Sequence, residues 1–355
     1  MKKLIMIVGG AAVLAAILAV GFNLQRDRIG EFAYKRATPN AMNKDVIAEL
    51  DDGLHLFLCG TGSPMPDPSR AGPCQAIIAG KKMYIVDVGE GASRSFSPNG
   101  IRLDYAEAIL LTHFHSDHIN GLGDLMIQRW ANTGADKPMK VIGPRGTNEI
   151  VTLINQFLSH DRDYRILHHG DLMPMSGYGG ITSEFDIMPG EQKEILTEGD
   201  LSITAFAVDH GGIHPAVGYR FDYKDRSIVI SGDTSKSDIL ETASDGADIL
   251  VHEALNPEMI DVMTEGFNAS GRSRLGTIFQ EIKPIHTTTE DAGASASIAG
   301  VDLLVLSHVI PPAPSRLLDA YFARDAKQQF SGDVVVGRDG MVFQLPAQSD
   351  KIIRD

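Results

Sequence analysis

Residues 113–118 constrain the fold more than any other feature of the sequence. They read His-Phe-His-Ser-Asp-His and stand between the apolar run Ala108–Leu111 and a helix-compatible stretch that begins at Gly121. The pattern predicts a strand-to-helix turn, in which His113 and His115 point the same way because side chains of an extended segment alternate. Imidazole and carboxylate groups without thiolates suit zinc, manganese or iron. Four candidate ligands in so short a loop favour two metal ions over one.

Three further apolar runs each lead to a histidine or an aspartate. Ile203–Val208 precedes His210, Ser227–Ile230 precedes Asp233, and Leu303–Leu306 precedes His308. Strand ends at the same edge of a sheet converge in space, so we expect these side chains to meet the loop 113–118. The predicted metal ligands are His113, His115, Asp117, His118, His210, Asp233 and His308.

The seven ligands divide naturally if Asp233 is shared between two ions. His113, His115 and His210 then complete one site, and Asp117, His118 and His308 complete the other. A hydroxide that bridges the two ions is the expected nucleophile. His214 lies four residues after His210 and remains an alternative ligand, or a residue that lines the substrate pocket.

From residue 53 onward, short apolar strands alternate with Gly-rich loops and helical stretches, which predicts an α/β or layered α+β fold. The predicted divisions are a polar linker over residues 23–52, one domain over residues 53–346 and a tail over residues 347–355. Two cysteines, Cys59 and Cys74, exclude a disulfide-stapled scaffold. Whether they pair in an oxidising environment stays open.

The N-terminal segment, residues 1–22, predicts a membrane anchor or a cleaved signal peptide. Lys2 and Lys3 precede 19 uncharged residues from Leu4 to Phe22, close to the roughly 20 that a membrane-spanning helix needs. We therefore expect a periplasmic or extracytoplasmic protein, held to the membrane through residues 4–22 or released by cleavage. The net charge of −14 argues against nucleic acid as a partner.

Further motifs narrow the interpretation. They are Gly60-Thr61-Gly62-Ser63-Pro64, Asp87-Val88-Gly89-Glu90, Gly218-Tyr219-Arg220, Ser231-Gly232-Asp233-Thr234, His252-Glu253-Ala254 and His286-Thr287-Thr288-Thr289-Glu290. With the loop 113–118, they make residues 54–345 resemble the metallo-β-lactamase superfamily, and within it the ribonuclease Z and arylsulfatase branch. The resemblance implies a four-layer αβ/βα sandwich, preceded here by the N-terminal hydrophobic helix, and two Zn²⁺ per chain, with Mn²⁺ or Fe²⁺ as substitutes.

The same resemblance implies the catalytic residues. His286 would protonate the leaving oxygen, Glu253 would hold its imidazole in the charged form, and Asp117 would orient the nucleophile. Relatives of this type often dimerise, so a homodimer is among the expected assemblies.

One departure from the ribonuclease Z pattern affects the substrate. Ribonuclease Z enzymes with a tRNA-clamping arm insert a long segment where this chain has only the ten residues Phe221–Ile230. With the acidity and the N-terminal segment, this favours an exported arylsulfatase or phosphodiesterase that acts on a small sulfate or phosphate ester. The alternatives are a ribonuclease Z-type endoribonuclease acting on tRNA 3′ ends, a lactonase or β-lactamase-like hydrolase, and a metal-dependent binding module without turnover.

Overall fold

The computed structural model describes residues 22, 23, 25–39 and 42–354. The predicted hydrophobic helix over residues 1–22 lies, apart from Phe22, outside the described residues. Residues 25–39, within the segment predicted as a polar linker, are helical, with Lys35 paired to Glu31 one turn earlier. Among the helices that the structure describes, none has the length and apolar character needed to cross a membrane.

The compact unit Val46–Asp355 is built on two sheets. The first sheet has the strand order β15-β14-β1-β2-β3-β4-β5-β6 and the second has the order β13-β12-β11-β10-β9-β8-β7. Their strands are β1 Gly53–Gly60, β2 Cys74–Ala79, β3 Lys82–Val86, β4 Ala106–Leu110, β5 Met139–Pro144, β6 Gly180–Phe185, β7 Gln192–Glu198, β8 Leu201–Ala207, β9 Val217–Tyr223, β10 Arg226–Ile230, β11 Ile249–Leu255, β12 Leu303–Ile310, β13 Asp333–Val336, β14 Val342–Pro346 and β15 Ile353–Arg354.

Helices cover the outer face of each sheet. In chain order they are α1 Val46–Glu49, α2 Ser116–Ile119, α3 Leu122–Thr133, α4 Thr147–Phe157, α5 Ser159–His169, α6 Asp238–Ala243, α7 Pro257–Ala269, α8 Ser273–Glu281, α9 Thr289–Ala299, α10 Arg316–Phe322 and α11 Ala326–Gln329.

Alternation along the strands separates three hydrophobic cores. In β1, Leu56 and Leu58 point between the two sheets, whereas Phe57 and Cys59 point toward the helices of the first sheet. A third core lies between the second sheet and its helices and includes Phe206. Helix, sheet, sheet and helix therefore form four layers, which confirms the predicted αβ/βα sandwich.

The carboxyl ends of parallel strands place several candidate site residues at one edge of the sandwich. β3 to β6 are parallel in the first sheet, and β10 to β13 are parallel in the second. The residues that follow β3, β4 and β10 therefore leave the carboxyl ends of buried strands, where α/β folds place ligands.

Two connections bear on the sequence expectations. Cys59 and Cys74 are joined by a disulfide that ties the end of β1 to the start of β2, with Cα atoms 5.0 Å apart. Lys224 and Asp225 alone join β9 to β10, so the chain has no arm at that position.

Candidate metal centre

The loop 113–118 leaves β4 and enters the short helix α2. The His118 amide donates to the His115 carbonyl oxygen at 3.0 Å, which closes the first turn. Glycine lets a neighbouring loop pass behind this turn, because a Cβ on Gly89 would lie only 2.3 Å from the Asp117 carbonyl oxygen. The turn that carries the four candidate ligands therefore packs closely against the loop that contains Gly89.

Asp87 orients the loop from the end of β3. Its Oδ1 accepts from the Thr112 amide at 2.8 Å, and its Oδ2 accepts from the Thr112 hydroxyl at 2.7 Å and from His118 Nδ1 at 2.8 Å. His118 Nε2 is thereby directed away from Asp87, toward the centre. A carboxylate behind a histidine in this way fixes the tautomer and orientation that a metal ligand needs.

The second sheet contributes three further side chains. His210 Nδ1 donates to the Ile285 carbonyl oxygen at 2.9 Å, which leaves Nε2 for a ligand. Asp233 follows β10 through Gly232, whose φ of 63° is in the left-handed region that glycine adopts without strain. Both His210 and Asp233 are buried.

His308 is placed differently from the sequence expectation. The strand does not end at Leu306; β12 continues to Ile310, and His308 is an extra residue between Ser307 and Val309 in the pairing with β11. Its φ of 45° marks a β-bulge. Bulges turn a side chain out of the regular alternation, and this one directs His308 to the centre.

The first group of potential ligand atoms joins both sheets. His115 Nδ1 lies 2.9 Å from His113 Nε2 and 3.3 Å from His210 Nε2. Asp233 Oδ2 lies 3.9 Å from His113 Nε2 and from His210 Nε2. A tetrahedral zinc site with bonds of about 2.0–2.1 Å separates its ligand atoms by about 3.3–3.4 Å, so this group has the right spacing.

The second group has the same spacing. Asp117 Oδ2 lies 3.5 Å from His118 Nε2 and 3.2 Å from His308 Nε2. Asp233 Oδ2 lies 3.3 Å from each of those two nitrogens. One oxygen of Asp233 therefore belongs to both groups, and the structure brings all seven predicted ligands together.

The electrostatics of the centre suit a cation. Burial lowers the pKa of His113 well below its ordinary value, so this imidazole is neutral, the form that binds metal. Burial would raise the pKa of Asp233, but His308 and His118 lower it well below the usual range. Among the described residues, His118 Nε2 is buried without a hydrogen-bond partner although two carboxylates face it. The donor set therefore fits divalent metal ions.

Glu253 and His286 form a pair at the edge of the centre, where a ring nitrogen of His286 lies close to the ligand atoms of Asp233 and His308. His286 Nδ1 lies 2.9 Å from Glu253 Oε1, which also accepts from the amides of Thr234 and Thr287 at 3.1 and 3.2 Å. Burial would lower the pKa of His286, but the carboxylate of Glu253 raises it to about 9. Helix α9 is capped by Thr288, whose hydroxyl accepts from the Asp291 amide at 3.0 Å. His286 therefore is not the residue that caps this helix.

Some residues around the centre carry no recognisable signal in the sequence. The Ile285 carbonyl that orients His210 is a main-chain group, which no side-chain pattern identifies. Asp339, far along the chain, accepts from the Thr61 amide and hydroxyl at 2.9 and 2.7 Å and from the Ala71 amide at 2.6 Å. It fixes a loop that passes near Asp117. His214, the alternative to His210, is exposed and belongs to neither ligand group.

Comparison with known proteins identifies the fold family. Residues 85–309 match the family model described as a beta-lactamase superfamily domain. The chain belongs to the metallo-β-lactamase superfamily. It is 34% identical over 298 residues to ribonuclease Z of Mycolicibacterium paratuberculosis, with 83% of this chain and 100% of that protein covered. It is 36% identical over 274 residues to ribonuclease Z of Mycobacterium sp. (strain KMS), with 75% and 88% covered.

Solved structures of the superfamily agree on the fold. Human tRNase Z, short form, has a TM-score of 0.59 at 20% identity and covers 82% of this chain and 99% of its own. The metallo-beta-lactamase fold protein YhfI from Bacillus subtilis has a TM-score of 0.58 at 20% identity and covers 82% and 99%. The resemblance to this superfamily and its ribonuclease Z branch is confirmed, as is the coarser prediction of a metal-dependent ester hydrolase.

The prediction of an arylsulfatase-like enzyme that acts on a small sulfate or phosphate ester is wrong. Relatives at 34–36% identity are named ribonuclease Z, an enzyme class that acts on RNA, so the prediction that nucleic acid is not a partner is wrong too. The prediction against nucleic acid treated the net charge of −14 as a property of the site. That sum counts every surface carboxylate, whereas binding depends on the charges near the bound phosphates.

The predicted periplasmic or extracytoplasmic location, with attachment through residues 4–22, is overturned by the same relatives. An uncharged run of 19 residues has the length of a membrane span. Length and low polarity alone do not establish that such a segment crosses or leaves a membrane.

Proposed function

We propose that this chain is a ribonuclease Z-type endoribonuclease, which hydrolyses a phosphodiester bond at the 3′ end of tRNA. The observation that carries the proposal is the 34% identity over the full length of a curated ribonuclease Z. The matched chain includes the loop 113–118 and the Glu253–His286 pair. The catalytic domain is the segment 53–346.

Seven residues would hold two zinc ions in this enzyme. His113, His115 and His210 form one site, Asp117, His118 and His308 form the other, and Asp233 is shared by both. The chemistry that a pair of divalent ions supplies when bound is a lower pKa for a water molecule and neutralisation of charge on the phosphate oxygens.

The chain's own residues then manage protons and orientation. Asp117 orients the attacking water and accepts a proton from it. The water oxygen forms a bond to phosphorus while the bond from phosphorus to the leaving oxygen breaks. The leaving oxygen takes a proton from His286, and the raised pKa of that imidazole means that the proton is present at neutral pH. Glu253 stabilises the charged imidazole through the 2.9 Å contact to Nδ1.

An RNA strand has room beside this centre. A cavity of about 790 Å³ has walls that include residues 63–72, Arg94 and Asp117, with Glu90 and Asp339 as further carboxylates. Arg94 is exposed there and offers a cation to a phosphate of the strand. Because two residues alone join β9 to β10, we infer that the body of the enzyme holds the RNA without an arm at that position.

The test is cleavage of a tRNA with a 3′ extension by the full-length chain loaded with zinc. We expect a single cut near the 3′ end, and a loss of at least about 100-fold in His286→Ala. An exposed histidine far from the pair, changed in His160→Ala, is the matched control and should leave the rate unchanged. Hydrolysis of a nitrophenyl phosphodiester without any cleavage of RNA contradicts the proposal.

A further inference from the structure

A second, smaller cavity lies beside the metal centre and has no role in the chemistry described above. Its volume is about 270 Å³, and it lies where β5, β6 and β8 end. We call it the Phe185 pocket, and its walls include Arg145, Phe185, Ile187, Val208 and His214. None of these belongs to either group of potential ligand atoms described above.

The Phe185 pocket shares a hairpin with the ligand His210. The Ile213 amide donates to the His210 carbonyl oxygen at 3.1 Å, and the Val208 amide donates to the Ala216 carbonyl oxygen at 3.0 Å. These two contacts close a hairpin that carries both His210 and His214. One wall of the pocket and the candidate ligand His210 are therefore on the same hairpin.

The opposite wall is joined to the loop 113–118. The ring of Phe114 packs on Gly146, where a Cβ would lie 2.7 Å from the ring, and Gly146 directly follows Arg145. Phe114 stands between the candidate ligands His113 and His115. Both walls of the Phe185 pocket thus continue into segments that carry the metal centre.

The chemistry of the walls matches a planar heteroaromatic ring. Phe185 and Val208 are buried apolar residues, and Ile187 is half-buried beside them. At the rim, Arg145 donates to Asp186 through Nε at 2.7 Å and through Nη2 at 2.8 Å, and His214 is exposed. Unpaired RNA bases are held in this way, with their faces on apolar or aromatic side chains and their edges on polar groups.

The size also selects a small group. A volume of about 270 Å³ falls just below the roughly 300 Å³ at which pockets for drug-sized ligands begin. It suits one base and excludes a helix or a peptide segment. We propose that the Phe185 pocket binds the nucleobase of a nucleotide next to the cleaved phosphate, an inference that rests on the proposed ribonuclease function.

The proposal predicts how substrate and enzyme changes combine. Removing the base from one nucleotide beside the cleavage site should lower kcat/KM of the unaltered enzyme by about tenfold, as expected for loss of one stacked base. Ile187→Trp fills the pocket and His214→Ala removes a rim group. In both variants, removing the base from the substrate should lower kcat/KM little further than the substitution itself does. His168→Ala, at the exposed end of α5, is the control and should keep the full penalty.

Two outcomes overturn the proposal while leaving the proposed function intact. RNA is cleaved but abasic substitution on either side of the phosphate costs nothing, or it costs the same in Ile187→Trp as in the unaltered enzyme. The comparison uses the ratio of two substrates on one protein, so a general loss of folding in a variant does not imitate the expected result.

A binding measurement decides the matter if RNA is not cleaved, which would itself contradict the proposed function. Uridine and adenosine monophosphates are titrated into the full chain, with ribose 5-phosphate as the probe that lacks a base. Binding of either nucleotide that ribose 5-phosphate does not reproduce, and that Ile187→Trp weakens at least about fivefold, supports the pocket. Equal binding of all three probes, or no effect of Ile187→Trp, overturns it.

Discussion

The two sheets contribute to the centre in different ways. The first sheet supplies His113, His115, Asp117 and His118 from one loop after β4. The second supplies three residues from three places, namely a hairpin after β8, a turn after β10 and a bulge within β12. The first contribution depends on local chain conformation, and the second depends on the whole sheet being assembled.

The ligands also differ in whether they belong to one ligand group or to both. Asp233 Oδ2 is 3.3 Å from His118 Nε2 and 3.9 Å from His113 Nε2, so it faces both ends of the loop. In contrast, His115 contacts only the first ligand group. Asp233, which follows a strand of the second sheet, therefore connects the two ligand groups, each of which includes two residues of the loop 113–118.

The largest expected effect breaks this connection. Asp233→Ala removes an oxygen from both ligand groups, so we expect loss of nearly all bound zinc and a fall in RNA cleavage of at least about 1,000-fold. His115→Ala is the matched variant from the loop, and it should keep the metal held by Asp117, His118 and His308. Elemental analysis of the purified proteins measures the difference.

Folding must be checked in both variants by circular dichroism, because Asp233 is buried. If folded Asp233→Ala retains two zinc equivalents, the shared carboxylate is contradicted. If His115→Ala loses as much metal as Asp233→Ala, the division into two groups is contradicted.

The second effect separates proton transfer from metal binding. His286→Ala should retain zinc but cleave RNA about 100- to 1,000-fold more slowly, because the leaving oxygen lacks its proton donor. Glu253→Gln should show a smaller loss, since the carboxylate that raises the pKa of His286 is gone while a hydrogen-bond acceptor remains.

Substrates with different leaving groups provide the control for this pair. A nitrophenolate departs without protonation, so a nitrophenyl phosphodiester should be nearly insensitive to His286→Ala. An equal loss on RNA and on the nitrophenyl ester would remove His286 from the role of proton donor.

The contrast between the sheets also explains what the sequence could predict. Four ligands within six residues form a pattern that can be recognised without tertiary structure. The alternation of strands and helices predicts only an α/β or layered α+β fold, and the four-layer sandwich is what the family resemblance implies. His210 and Asp233 were identified because each follows an apolar run closely. His308 was identified for the wrong local reason, since it is a bulge residue and not a strand end.

Features that depend on distant main-chain groups were out of reach. The Ile285 carbonyl behind His210 and the loop contacts of Asp339 arise only when remote segments pack together. The prediction against nucleic acid failed for a related reason: net charge is a sum over the whole chain, whereas binding depends on the groups that line the site.

The third effect tests whether the hydrogen bonds accepted by Asp87 are needed for metal binding by the loop 113–118. Asp87→Asn weakens the acceptor for Thr112 and His118, so the affinity of the second group for zinc should fall by about 10- to 100-fold. A competition assay with a chelating dye measures this affinity. Asp209→Asn, next to His210 but outside both groups, is the control, and an equal fall there would contradict a specific role for Asp87.

The smallest effect concerns folding alone and uses a buried histidine remote from the centre. His55 in β1 donates from Nε2 to the Asp51 carbonyl oxygen at 2.9 Å and accepts at Nδ1 from the Leu345 amide at 3.3 Å. Acceptance at Nδ1 requires the neutral imidazole, and burial lowers the pKa of His55 below the ordinary value. The unfolded chain therefore binds a proton at this residue more readily than the folded chain does.

The contribution of His55 to the free energy of unfolding should accordingly be fully present above about pH 6.5, the pKa of histidine in an unfolded chain. This contribution should be lost as the pH falls below that value. His55→Gln removes the titrating group, so its free energy of unfolding should be lower at pH 7 but should change less between pH 7 and pH 5, by about 1 kcal/mol or less. Urea unfolding at the two pH values measures this, with His160→Gln on the exposed face of α5 as control. A pH dependence in His55→Gln as steep as in the unaltered protein would assign the acid sensitivity to the clustered imidazoles and carboxylates of the centre.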